Sequence, residues 1–328
     1  MKRMRNRREK KIVAIGGGTG TYAVLTGLKT YPVDLSAVIS MCDSGGSTGK
    51  LRKELDILPP GDVRRAIMAL SDLPFAKKTL EEVFDFRFTS GKSLAGHSVG
   101  NILLAALVQI TGSMDRAIDE AARIFNVSGS VYPVTLDKTN LAATLTDGTR
   151  VYGESNIDMR TFKLKYPIKK VYLTPKAKIF DKAKKAIETA DMVVLGPGDL
   201  YTSIVPTLLV QGMNEALLKS NAKLVYVVNL LTKRGETDGF SANDFLTVIK
   251  QYLGESSEKV SHVIVNKTRA KANNSMTNWY KKYGSKLVIN DLHRRKNGTR
   301  IISGDFMDTT TLYRHDASKL AKTIISLL

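Results

Sequence analysis

Chemistry concentrates in short stretches where glycine, hydroxyl and acidic residues crowd together. The first is Gly16, Gly17, Gly18, Thr19 and Gly20, directly after the apolar run 12–15. Glycine turns tightly, and its missing Cβ lets a phosphate approach backbone N–H groups at a helix start. Gly17, Gly18 and Thr19 are therefore candidate pyrophosphate contacts. The spacing departs from the dinucleotide fingerprint, since Thr21 stands where its third glycine belongs, and no Gly-Lys-Ser/Thr follows as a P-loop requires. A second stretch holds Asp43, Ser44, Gly45 and Gly46. Asp43 lies 25 residues beyond Gly18, where a dinucleotide fold holds a ribose hydroxyl with an acid; it could equally bind a metal ion or cap the next turn. Asp62 follows two prolines and is placed to cap a helix over 63–71. Arg64, beside Arg65 at that helix start, could reach a phosphate or lie on a solvated face.

Three more polar loops complete the set. Residues 91–101 carry His97, the one histidine beside a glycine-rich helix start, and Asn101; each either touches ligand or serves the fold. Residues 196–203 carry Gly196, Gly198, Asp199, Thr202 and Ser203 after the strand-like DMVVLG. Residues 229–237 carry Asn229 and Thr232 after KLVYVVNL.

The elements needed to position these loops are legible as a rhythm of buried strand, polar loop and helix. Strands are expected at 12–15, 33–41, 191–195, 223–230 and in HVIVNK, with late strands in KLVINDL and TRIISGDF. Helices are expected from Thr21, over 63–71, 75–90 in part, 102–112, 113–125, 178–189, 204–218 and 241–253, and at the end, with Asp316 near its cap. The phenylalanines at 84, 86 and 88 are expected in the core. Residues 130–175 alternate apolar and polar residues, with Asp147-Gly148 as a hairpin turn. The fold class is α/β, a Rossmann-like, doubly wound, mainly parallel sheet with an antiparallel β insertion at about 130–175. One domain over 11–328 follows a basic arm at 1–10. Loops at the carboxyl ends of parallel strands would face one crevice at the topological switch point.

Composition narrows the function. With 328 residues and 43% hydrophobic content, the chain buries a large core. Cys42 is the only cysteine, so no intrachain disulfide forms and a reducing, cytoplasmic setting is expected. No apolar run has transmembrane length. The net charge is +19, and the first eleven residues hold seven Lys/Arg and one Glu. No nucleic-acid signature accompanies this charge, which is read as a solvated face and an attraction for phosphate ligands.

Taken in order, GGGTG (16–20), CDSGGSTGKLR (42–52), PPGDVRR (59–65), GHSVGN (96–101), GPGDLYTSIVP (196–206) and NLLTKRGETDGFSA (229–242) resemble the bacterial YvcK-type gluconeogenesis factors, relatives of the 2-phospho-L-lactate transferase, CofD. The resemblance implies a site for UDP-N-acetylglucosamine or UDP-glucose. It also implies a regulatory role linking carbon metabolism to cell-wall precursor supply and cell shape, with a cell-wall precursor enzyme or morphogenesis protein as partner and a homo-oligomeric state. The transferase relatives move a phospholactyl group from a nucleotide diphosphate with a divalent metal. Of their acid pair in the second loop, Asp43 is present and Ser44 replaces the other. The resemblance also makes Tyr280 and Arg314 nucleotide-sugar contacts. Two further readings stay open: a Mg²⁺-dependent phosphotransferase with Asp43 on the metal and His97 or Asp62 moving a proton, and an NAD-binding protein.

Overall fold

The computed structural model describes residues 9–72, 77–158, 166–267, 284–293, 295–296, 298–308 and 314–328. Its first half runs β1 (Lys10–Gly16), α1 (Gly18–Leu28), β2 (Val33–Ile39), α2 (Gly46–Leu55), α3 (Gly61–Leu70), α4 (Lys77–Asp85), α5 (Val99–Thr111), α6 (Met114–Ile124) and β3 (Ser130–Pro133). An antiparallel stretch follows: β4 (Asn140–Leu145), β5 (Arg150–Tyr152), α7 (Glu154–Asp158) and β6 (Ile168–Thr174). The second half runs α8 (Asp181–Glu188), β7 (Met192–Leu195), α9 (Val205–Leu208), α10 (Met213–Lys219), β8 (Lys223–Val227), α11 (Ala242–Leu253), β9 (Val260–Asn266), β10 (Arg295–Lys296), β11 (Thr299–Gly304) and α12 (Ala317–Ile325). A wide helical turn, Leu200–Ile204, leads into α9.

The main sheet has eight strands in the order β10-β11-β9-β8-β7-β1-β2-β3. All its pairings are parallel except β10 with β11. Successive strand residues point to opposite faces. Ile12, Val13, Ala14 and Ile15 are all at most 2% exposed, so both faces of β1 are covered, as a central parallel strand requires. The chain order reverses at β1, which pairs with β2 on one side and β7 on the other. The second sheet, β5-β4-β6, is antiparallel. Leu141, Ala143, Val171 and Leu173 of that sheet join the same apolar core as Ile12 and Val193.

Local chemistry explains the departures from expectation. Residues 130–133 pair in parallel with β2, so the antiparallel insertion proper begins at Asn140. Helix α1 begins at Gly18, three residues before Thr21, so the glycines form its first turn. Helix α3 begins at Gly61 with Pro60 as its cap; Asp62 is inside the first turn and does not cap its own helix. Phe84 is in the core against Phe125, with ring centres 4.2 Å apart. Phe86 is exposed and meets Phe88 edge to face, so these two lie outside the core. Residues 286–292 contribute only an isolated bridge, Leu287 with Leu231. Asp316 does cap the last helix, accepting from the Lys319 N–H at 3.0 Å. Among the described residues no helix is long and apolar enough to cross a membrane.

Candidate functional site

The loops after β1, β2, β7 and β8 open onto one cleft of about 1120 Å³ at the carboxyl ends of the parallel strands. Its position is the topological switch point between β1 and β7, where an open parallel sheet leaves a crevice. Two glycines show how closely its parts fit. A Cβ on Gly20 would lie 2.3 Å from the Pro197 carbonyl oxygen, so α1 and the β7 loop touch backbone to backbone. A Cβ on Gly17 would lie 2.3 Å from Asp62 Oδ2.

Of the residues singled out in the sequence, Gly17, Gly18, Thr19, Asp43, Gly45, Gly46, Asp62, Gly198, Asp199, Thr202, Ser203, Asn229, Thr232 and Arg314 line this cleft. Several also brace it. Asn229 Nδ2 donates to the Gly198 carbonyl at 2.8 Å, tying the β8 loop to the β7 loop. Thr202 Oγ1 donates to Glu236 Oε1 at 3.1 Å. Thr232 Oγ1 accepts from the Lys286 N–H at 2.9 Å.

Other candidates stand behind the wall. His97 is buried, with Nδ1 3.0 Å from Ser47 Oγ. Asn101 Nδ2 donates to Ser47 Oγ at 3.2 Å, and its Oδ1 accepts from Arg64 Nε at 3.2 Å. Arg64 is buried and also pairs with Asp85. These three form one polar network beneath the start of α2, with no edge on the cleft. The neighbouring Arg65 faces the cleft instead. Ser44 is spent on Ser155, with the two Oγ atoms 2.9 Å apart. Gly196 turns the chain at φ +72 beneath the cleft floor. Tyr280 lies outside the described residues.

The sequence reading missed α7 and Lys233. Glu154, Ser155 and Asp158 all line the cleft, although α7 belongs to the insertion. Lys233 Nζ sits 2.6 Å from Asp199 Oδ2, 3.1 Å from Glu236 Oε1, and against Asp158 Oδ1. Oxygens of those three carboxylates lie within 4.8 Å of one another, the spacing of a cation cage, and the Lys233 ammonium fills it. The only local hint was the polar string Thr232–Lys233–Arg234–Gly235–Glu236.

Burial and crowding set the charges. Burial, reinforced by Asp43, pushes Asp62 up to about 6. Burial and Asp43 likewise push Glu154 up to about 8. Burial raises Glu236 to about 7 against the pull of Lys233. Burial opposes the charge on Lys233, but Glu236, Asp199 and Asp158 outweigh it and hold the ammonium protonated. His315, also on the cleft, is pushed down to about 4 by burial and is neutral near pH 7.

A glycine-built crevice at the carboxyl ends of parallel strands, with acids and cations around it, defines the chain as an α/β protein with a cleft at its switch point. The profile of the family described as 2-phospho-L-lactate transferase CofD matches residues 12–307. A gluconeogenesis factor of Halalkalibacterium halodurans is 42% identical over 97% of this chain and 96% of its own length. The gluconeogenesis factor of Bacillus subtilis is 37% identical over 97% of this chain and 98% of its own. The crystal structure of a UPF0052 family member from Bacillus halodurans superposes with a TM-score of 0.90, at 41% identity, over 98% of this chain and all of that one. The chain belongs to the CofD family.

Proposed function

We propose that the protein binds a uridine diphosphate sugar and acts as a regulator of gluconeogenesis and of cell-wall precursor supply. The observation that carries this reading is the single cleft at the switch point, into which the glycine loops after β1, β2 and β7 all open. Its rim holds Arg65, Arg234 and Arg314 for a diphosphate. Its walls hold Asp43, Asn229 and Glu154 for hydroxyl groups. The gluconeogenesis assignment is carried over from relatives that match nearly end to end. His97 lies behind the wall with its Nδ1 on Ser47, which speaks against proton transfer to a ligand at that residue.

One observation favours a second reading, a Mg²⁺-dependent phosphotransferase. Asp43 and Asp62 crowd the same corner: a Cβ on Gly61 would lie 2.7 Å from Asp43 Oδ2, and Asp43 raises Asp62. Two carboxylates so placed would suit a divalent cation, and these residues would hold it. The cation would polarise the phosphoryl oxygens.

Calorimetric titration with UDP-N-acetylglucosamine, UDP and NAD, with and without Mg²⁺, tests both. Micromolar binding of the sugar nucleotide, unconsumed over hours, supports the regulator. Mg²⁺-dependent breakdown of the ligand supports the transferase. Preference for NAD overturns both.

A further inference from the structure

The wall of the cleft that the insertion supplies is α7. It belongs to the antiparallel insertion, yet it places Glu154, Ser155 and Asp158 on the cleft. Ile157, fully buried, roots it in the core. Its first turn is stitched to the β2 loop. Ser155 N–H donates to Ser44 Oγ at 3.0 Å, Ser155 Oγ donates to the Ser44 carbonyl at 3.0 Å, and Ser44 N–H donates to Glu154 Oε2 at 3.2 Å. Its far end is held through Asp158 by Lys233 of the β8 loop. The helix is thus fixed at both ends across the cleft.

Three backbone donors on this side already have acceptors inside the protein. Gly45 N–H donates to Asp43 Oδ1 at 2.9 Å, Ser44 N–H to Glu154, and Gly18 N–H to Asp62. A ligand group arriving at the β2 loop therefore meets carboxyl oxygens. Asp43 Oδ1 and Glu154 Oε2 lie 3.5 and 4.0 Å from a Cβ built on Gly45. A phosphate placed there would be repelled by Asp43. A sugar hydroxyl brings the donor that these oxygens can accept. Of the cations on the cleft, Arg65 is already paired with Asp62 at 3.8 Å, and Arg314 is exposed.

We propose that α7 reads the sugar ring of the ligand, with Glu154 as the principal contact, and that the insertion sets the preference for a sugar nucleotide over the bare nucleotide diphosphate. The proposal rests on the nucleotide-sugar reading above. It assigns hydroxyl groups to the corner between the β2 loop and α7, and the diphosphate to the part of the cleft lined by Arg314.

The test uses the full chain, titrated in parallel with UDP-N-acetylglucosamine and UDP at constant Mg²⁺. In Glu154→Ala the affinity for the sugar nucleotide falls about tenfold, one hydrogen bond to a carboxyl group, while UDP binds as before. Glu154→Gln, whose amide keeps an acceptor and adds a donor, retains most of the preference. Thermal melting checks that each variant is folded; if the alanine variant does not fold, Glu154→Asp, which withdraws the oxygens by one methylene, lowers the preference instead. Equal losses for both ligands, or an unchanged preference, overturn the role of α7. A wild-type chain that binds neither ligand overturns the nucleotide-sugar reading and this proposal together.

Discussion

Lys233 is the residue on which the cleft depends most. One ammonium serves Asp158, Asp199 and Glu236, which come from the insertion, the β7 loop and the β8 loop. The Glu236 side chain is fully buried. Removing the cation leaves carboxylates without their partner, and breaking one side of a buried ion pair costs about 3–5 kcal/mol. Lys233→Met should lower the unfolding free energy by about 3 kcal/mol in urea titration, and Ca²⁺ or Mn²⁺ should restore part of it by entering the emptied cage. A loss below about 1 kcal/mol, the worth of a surface pair, would mean that the cluster is solvated. The acids also make stability depend on pH. Asp62, Glu236 and Glu154 keep their protons up to about 6, 7 and 8, so each binds its proton more tightly folded than unfolded. The stability they contribute is complete below the ordinary carboxylate range and is lost as pH rises through those values. Unfolding free energy should fall from about pH 5 to about pH 8, and Glu154→Gln should flatten the upper part of that fall. A level profile in the wild type would remove the raised carboxyls from the account.

At the scale of elements, the site is held by contacts between loop backbones. Helix α1 and the β7 loop meet at Gly20, where a Cβ would lie 2.3 Å from the Pro197 carbonyl oxygen and 3.1 Å from the Gly198 N. Alanine there favours the helix but must push two backbones apart, and the rigid obstacle wins. Gly20→Ala should cost about 1–3 kcal/mol in a melting experiment and, if the protein binds a sugar nucleotide as proposed, weaken it by at least about tenfold, since two of the loops that form the cleft move. Unchanged affinity would place the ligand away from these loops. This contact also shows what a sequence can reveal. A buried strand, a glycine run and a helix start form a local pattern, so the loops after β1 and β7 were readable as facing one crevice. Arg64 and Arg65 were not separable, because consecutive helix residues point about 100° apart and only packing decides which one faces the cleft. His97 carried the right neighbours for a ligand contact, but the fold turned it under α2 toward Ser47. Glu154 and Asp158 were illegible for a different reason. They reach the cleft only because the insertion folds back, bringing Ser155 to Ser44 across 111 positions of chain.

At the scale of the whole molecule, the net charge lies away from the site. The chain carries +19, yet the cleft lining holds Asp43, Asp62, Glu154, Asp158 and Asp199 against Arg65, Lys233, Arg234 and Arg314. The excess positive charge therefore lies outside the site, on exposed lysines such as Lys169, Lys170, Lys176, Lys178, Lys182 and Lys185. Such a field acts over distance and draws an anionic ligand toward the surface, raising the encounter rate. Inside the cleft, close contacts take over and their partners are less screened. The two regimes respond differently to salt, because the screening length falls from about 15 Å at low ionic strength to below about 5 Å at high ionic strength. Raising NaCl from about 50 mM to about 500 mM should slow association of UDP-N-acetylglucosamine several-fold while dissociation changes little. Stopped-flow mixing under excess ligand separates the two rates. Association that ignores salt would show that the surface lysines do not steer this ligand. Dissociation that speeds up in step with slower association would show that the contacts to the diphosphate are screened as fully as the surface lysines. The expected pattern, a salt-sensitive approach and a salt-tolerant stay, follows from a positive molecule that encloses a nearly neutral site.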